Sequence, residues 1–155
     1  MSLDQESVTT LRTILDHLSN GAYGTAEQMT GQWLDHNSDS AEGHALHALA
    51  AHFQNRHEEA IERFDRAIVL DGSKGDFHAN RGASLAALGR YVEAIDAFQN
   101  ALTLTPGDLS TTANLARALV HLKRHTEAVA LLAQIVAAVP DDPVLLTDLG
   151  VALSA

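Results

Sequence analysis

Nine of the 155 residues are histidine, enough to raise the question of a metal site. His44 and His47 stand three residues apart, a spacing that sets both rings on one face of a helix, and His78 lies one step of an internal repeat after His44. Three imidazoles suit a transition metal. A ligating histidine normally has an orienting partner, and no carboxylate stands obviously placed for that role, although Glu42 is near in sequence. The expectation is therefore no metal and no cofactor, with His44, His47 and His78 as the candidate set if a metal binds.

Catalytic patterns are missing. His57-Glu58-Glu59-Ala60-Ile61 begins like a zinc-protease helix but lacks the second histidine, and Asp71-Gly72-Ser73-Lys74-Gly75-Asp76 lacks the spacing of a phosphate loop. No serine sits in a nucleophile elbow. With no cysteine there is neither thiol catalysis nor a disulfide scaffold. These readings point away from an enzyme.

Twenty acidic against ten basic side chains give a net charge of −10, which argues against nucleic acid as a partner. Protonating all nine histidines would bring −10 to −1, so charge falls steeply near pH 6.5 and self-association on mild acidification is expected. Arg117, His121, Lys123, Arg124 and His125 form the one basic cluster, which reads as a solvated helix end before it reads as a site for an acidic segment. No basic run precedes an apolar stretch at the N-terminus, and the longest apolar run, 128–139, is interrupted by Gln134. No membrane partner is expected and the address reads as cytoplasmic, an assignment that a removed leader or a longer parent protein would overturn.

The elements that position these side chains come from the internal repeat. Laying Ala26 over Ala60 brings Ala94 and Ala128 into the same column, and sets Tyr23, His57, Tyr91 and His125 in another. Further columns hold Thr30, Phe64, Phe98 and Leu132; Trp33, Ala67, Ala101 and Ile135; and Ile14, Ala48, Gly82, Ala116 and Gly150. The organisation expected is a leader 1–6, units 7–40, 41–74, 75–108 and 109–142, and a half unit or capping helix 143–155. Within one unit, apolar or small residues recur at helical spacing over 75–88. Gly89-Arg90 break the run, 91–104 resume it, and Thr105-Pro106-Gly107-Asp108 stop it. Each unit is thus a helix-turn-helix, and the small residues mark where helices approach closely.

This pattern resembles the tetratricopeptide repeat family. Gly82, Gly89, Tyr91, Ala94, Phe98, Ala101 and Pro106 carry the resemblance best, Ala60, Phe64, Ala67, Ala116, Ala128 and Pro140 extend it, and unit 7–40 is degenerate, with Thr30 and Trp33 out of pattern. The resemblance implies an all-α, right-handed superhelical solenoid of antiparallel helix pairs, whose first helices line a concave groove holding a peptide or helix of another protein. The groove positions it implies include Leu49, His52, Phe53, Asn80, Ala83, Ala87, Asn114, Arg117 and His121. Asn80 and Asn114 match one component of a clamp for acidic chaperone tails, but Asp76 and Ser110 stand where its basic residues would be, so an acidic tail is disfavoured. The function implied is a non-catalytic interaction scaffold; the alternative is the recruiting arm of a larger enzyme such as a glycosyl- or sulfo-transferase. The last helix carries a single charge, Asp148, and is expected either to be cut from a longer array or to associate with another copy.

Overall fold

The computed structural model describes residues 5–154, which form nine α-helices and no strand. They are α1 (Gln5–Ser19), α2 (Tyr23–Leu34), α3 (Ala41–Phe53), α4 (His57–Leu70), α5 (Gly75–Ala87), α6 (Tyr91–Leu104), α7 (Leu109–His121), α8 (His125–Ala138) and α9 (Pro143–Ser154). Helices α3, α5, α7 and α9 start at 41, 75, 109 and 143, so the step of the sequence repeat is also the step of the helices. α1 reaches back to Gln5, into the expected leader; residues 1–4 and 155 lie outside the described residues. Two compact units result, one running to Ser73 and the other starting at Lys74. Within the first, α1 packs on α2, α2 on α3 and α3 on α4; within the second, each helix from α5 to α9 packs on the next.

The turn inside each helix pair has one design. Gly21, Asn55, Gly89 and Lys123, each one repeat after the last, all take a positive φ, of 75°, 61°, 74° and 60°. The next residue in each case donates its N–H back to the preceding helix: Ala22 to His17, Arg56 to Ala51, Arg90 to Leu85 and Arg124 to Leu119, at 2.8–3.0 Å. That bond closes a helix through a left-handed residue, which glycine adopts without strain and lysine does not. Helix starts are capped by side chains where the sequence supplies them. Ser40 accepts from the Gly43 N–H, Asp108 from those of Ser110 and Thr111, and Asp142 from those of Val144 and Leu145.

The aligned columns are the core. Ala26, Ala60, Ala94 and Ala128 are fully buried, as are Thr30, Phe64 and Leu132, with Phe98 nearly so. Sixteen residues before each of these last four stand Ile14, Ala48, Gly82 and Ala116, also buried. Volume is traded across the pair: Gly82 faces Phe98 so closely that a Cβ would lie 2.7 Å from the ring, whereas the first pair puts the bulk on Ile14 and the small residue at Thr30. Trp33 follows the same logic, because a Cβ on Gly43 would meet its ring at 2.6 Å. The out-of-pattern Thr30 and Trp33 are therefore compensated rather than loosely packed. Gly150 alone of its column is exposed.

Candidate peptide-binding faces

The first helix of each pair buries one face and leaves another accessible. In the first unit, α3 packs against α1, α2 and α4, and its residues 43–48, 50 and 51 are buried. Leu49 and His52 are half-buried, and Phe53 is 49% exposed. In the second unit Asn80, Ala83, Asn114 and Arg117 are half-buried, and Ala87 and His121 are exposed. All nine sequence-derived groove residues can thus be touched from outside. Ala45 and Ala113, which the family resemblance also implies on the groove, are instead buried by the packing of α3 and α7 against their neighbours.

Two kinds of surface result. At the end of α3, the Phe53 ring stacks on Tyr23 with centroids 5.0 Å apart and planes 16° from parallel, and His52 meets it edge-on at 5.4 Å. His57 in turn meets His52 at 4.9 Å. Burial, and then the neighbouring His57, push the His52 pKa down, which keeps this aromatic platform uncharged. The second unit repeats the motif once, as Tyr91 stacked on His121 at 4.2 Å and 5°. Its main feature is polar. Arg117 donates to Asp148 on α9 at 2.7 Å and to the side-chain oxygen of Asn114 at 2.8 Å. Beside them a cavity of about 300 Å³ is lined by Leu109, Ser110, Ala113, Arg117, Val144 and Leu145, among others. The Asn114 carbonyl is therefore used within the fold while its NH₂ points to no partner among the described residues, and the Asn80 side chain makes no hydrogen bond among them. A ligand backbone could engage both.

His44 and His47 turn to different partners. His44 uses Nε2 on the Ser38 carbonyl at 2.9 Å. His47 points elsewhere: its Nε2 lies 3.6 Å from Glu27 on α2 and 3.6 Å from Glu59 on α4. His78 belongs to the second unit. The carboxylates facing His47 are thus Glu27 and Glu59, not Glu42. Sequence reading passed over them, though one signal was present: Glu27 shares a column with Ile61, Ile95 and Val129, where a charge is out of place.

Helix pairs with buried small-residue seams and an accessible first-helix face define an all-α helical-repeat solenoid, a class that works by contact. Two models, each described as tetratricopeptide repeat, match residues 45–108 and 85–147. The chain belongs to the tetratricopeptide repeat family. A comparison with curated proteins found no match by sequence. Among solved structures it is similar to PilF of Pseudomonas aeruginosa, with a TM-score of 0.85 at 21% identity over 94% of this chain and 67% of that one. A thermophilic TPR protein of Thermus thermophilus gives 0.79 at 20% identity over 94% and 80%, and MamA of Desulfovibrio magneticus 0.85 at 16% identity over 97% and 85%. At these identities the likeness is one of fold. No described helix is long and apolar enough to cross a membrane.

Proposed function

We propose that this chain is a non-catalytic scaffold that holds a peptide or helix of a partner protein on the first-helix faces of its repeats. The observation that carries the reading is the accessibility of all nine residues from Leu49 to His121 on helices whose opposite faces are buried. The aromatic platform of Tyr23, His52 and Phe53 favours an apolar or aromatic anchor in the ligand. Asn80 and Asn114 add hydrogen bonds to an extended backbone. The test is a pull-down with wild type, followed by calorimetry of wild type, Phe53→Ala and Asn80→Ala/Asn114→Ala with a synthetic segment of the protein that wild type retains. A segment bound equally by wild type, Phe53→Ala and the Asn80→Ala/Asn114→Ala pair overturns the reading.

A second contact is carried by α9. Val144, Leu146, Val151 and Leu153 are exposed on it while Leu145 and Ala152 face inward, and burial of each half-exposed side chain in a copy-to-copy contact would contribute roughly half of the 1.5–3 kcal/mol of a fully exposed one. Self-association is the outcome expected in sedimentation at high concentration, and Leu146→Glu/Leu153→Glu should abolish it.

A further inference from the structure

His47 is 8% exposed and sits where three helices of the first unit converge. Its Nδ1 is buried without a hydrogen-bond partner. Its Nε2, aimed at Glu27 and Glu59, is 3.6 Å from each, beyond hydrogen-bond distance. One oxygen of each carboxylate and a ring nitrogen of His47 all lie within 4.8 Å of one another. The cation now answering the two carboxylates is Arg56, which donates to Glu27 at 2.6 Å and to Glu59, while Gln54 donates to Glu27 at 2.9 Å.

Two features argue that this is more than an ion pair. A buried imidazole facing two carboxylates without hydrogen-bonding either is a poor structural element, since a polar group removed from water and left unmade is destabilising. The fold also does not require it: at the same repeat positions of the second unit stand Ile95 and Leu115, both buried, with the Arg124–Glu127 pair retained at the surface.

We propose that Glu27, His47 and Glu59 form a site for a first-row divalent cation of the zinc or cobalt type, which takes the place of the Arg56 guanidinium between α2, α3 and α4. One nitrogen and two carboxylate oxygens suit such ions better than calcium or magnesium, which take oxygen ligands. Tetrahedral ligands about 2.0–2.1 Å from zinc stand roughly 3.3–3.4 Å from each other, so the His47–carboxylate separations need to close by only a few tenths of an ångström. The carboxylates draw together when the guanidinium leaves, and Arg56, being partly exposed, has solvent to move into. The fourth position falls to water. Bound there, the ion would tie the two helix pairs of the first unit to one another.

Calorimetry with ZnCl₂ and visible spectroscopy with CoCl₂ on the intact chain test this. Wild type is expected to bind one equivalent, with Glu59→Gln and His47→Gln each weakening binding at least tenfold. Arg56→Ala, which removes the competing cation, is expected to tighten it about tenfold, the reverse of what a purely structural ion pair would do. Circular dichroism confirms that each variant is folded, and because Glu59 and Arg56 are partly exposed these two carry the test if His47→Gln does not fold. No binding by wild type or Arg56→Ala, or binding unchanged in Glu59→Gln, overturns the proposal; in the latter case the metal is held by other histidines.

Discussion

Between α2, α3 and α4 the first unit places Glu27, His47 and Glu59 around Arg56; in the second, on α6, α7 and α8, the same repeat positions hold the buried Ile95 and Leu115 and an Arg124–Glu127 pair. The helices, the turns and the Arg–Glu pair three residues apart are common to both. What differs is the pair behind it, charged and imidazole in one unit, aliphatic in the other. The same backbone thus closes over either filling, which separates what the fold needs from what it merely carries. The buried columns belong to the first category and the polar cluster to the second.

The largest effects should come from the shared columns. Phe64 and Phe98, equivalent residues in the two units, have almost no exposure, and Phe64→Ala and Phe98→Ala should each lose about 3–5 kcal/mol in urea titrations. A loss below about 1 kcal/mol for either would break the equivalence. Next is the transplant of the second unit's filling into the first. Glu27→Ile/His47→Leu should leave the protein as stable or make it more stable, by up to about 4 kcal/mol, because well-packed apolar groups often replace buried charge without loss. A clear destabilisation would mean the polar cluster holds the first unit together.

Smaller effects probe single positions where one unit departs from another. Gly82→Ala presses a Cβ against the Phe98 ring at 2.7 Å. Its gain in helix propensity of nearly 1 kcal/mol is opposed by that overlap, costing about 1–3 kcal/mol, for a net loss near 1 kcal/mol. Ala48 and Phe64, at the same repeat positions in the first unit, are both fully buried, so that unit accommodates the larger combination. Lys123→Gly works in the other direction: the left-handed φ of 60° favours glycine, as at Gly89, so denaturation should shift upward by about 0.5–1 kcal/mol.

Much of this was legible in the sequence, for a reason that also marks where legibility ended. Helix bounds and buried columns recur with one period, so each position is read several times, and Ala26, Ala60, Ala94 and Ala128 identify themselves together. Thr30 and Trp33 looked like decay because each was compared only with its own column. Their compensation by Ile14 and Gly43 lies in another column and needs the packed helices to be seen. The same holds for Glu27 and His47, far apart in sequence on different helices, whose meeting depends on how α2 lies on α3. Asn114 could be placed on the accessible face but not assigned its bond, because Arg117 and Asp148 join it only once α7 packs on α9.

The smallest expected effect is the dependence of stability on pH, and it bears on the polar cluster and on His52 of the same unit. In the folded first unit burial, then Arg63, lower the His47 pKa, with Arg56 adding to them against Glu27 and Glu59; burial, then His57, lower that of His52. In the unfolded chain both titrate near 6.5. Above that value neither state binds the protons and the two rings contribute nothing. As pH falls through about 6.5, the unfolded chain takes up protons that the folded unit refuses, so stability drops, and the drop levels off once pH is below the folded values. Glu27, held below the usual carboxylate range chiefly by its bond to Arg56, adds its own loss only at lower pH, as its unfolded form protonates near 4.5. Urea midpoints compared between pH 7.5 and 5.5 therefore isolate the histidines. Wild type should be less stable at 5.5, and Glu27→Ile/His47→Leu should show a smaller drop, because His52 is then the one depressed imidazole left in the unit. Equal drops in the two proteins would mean that the buried His47 accepts its proton freely, and that the polar filling adds no pH dependence in this range.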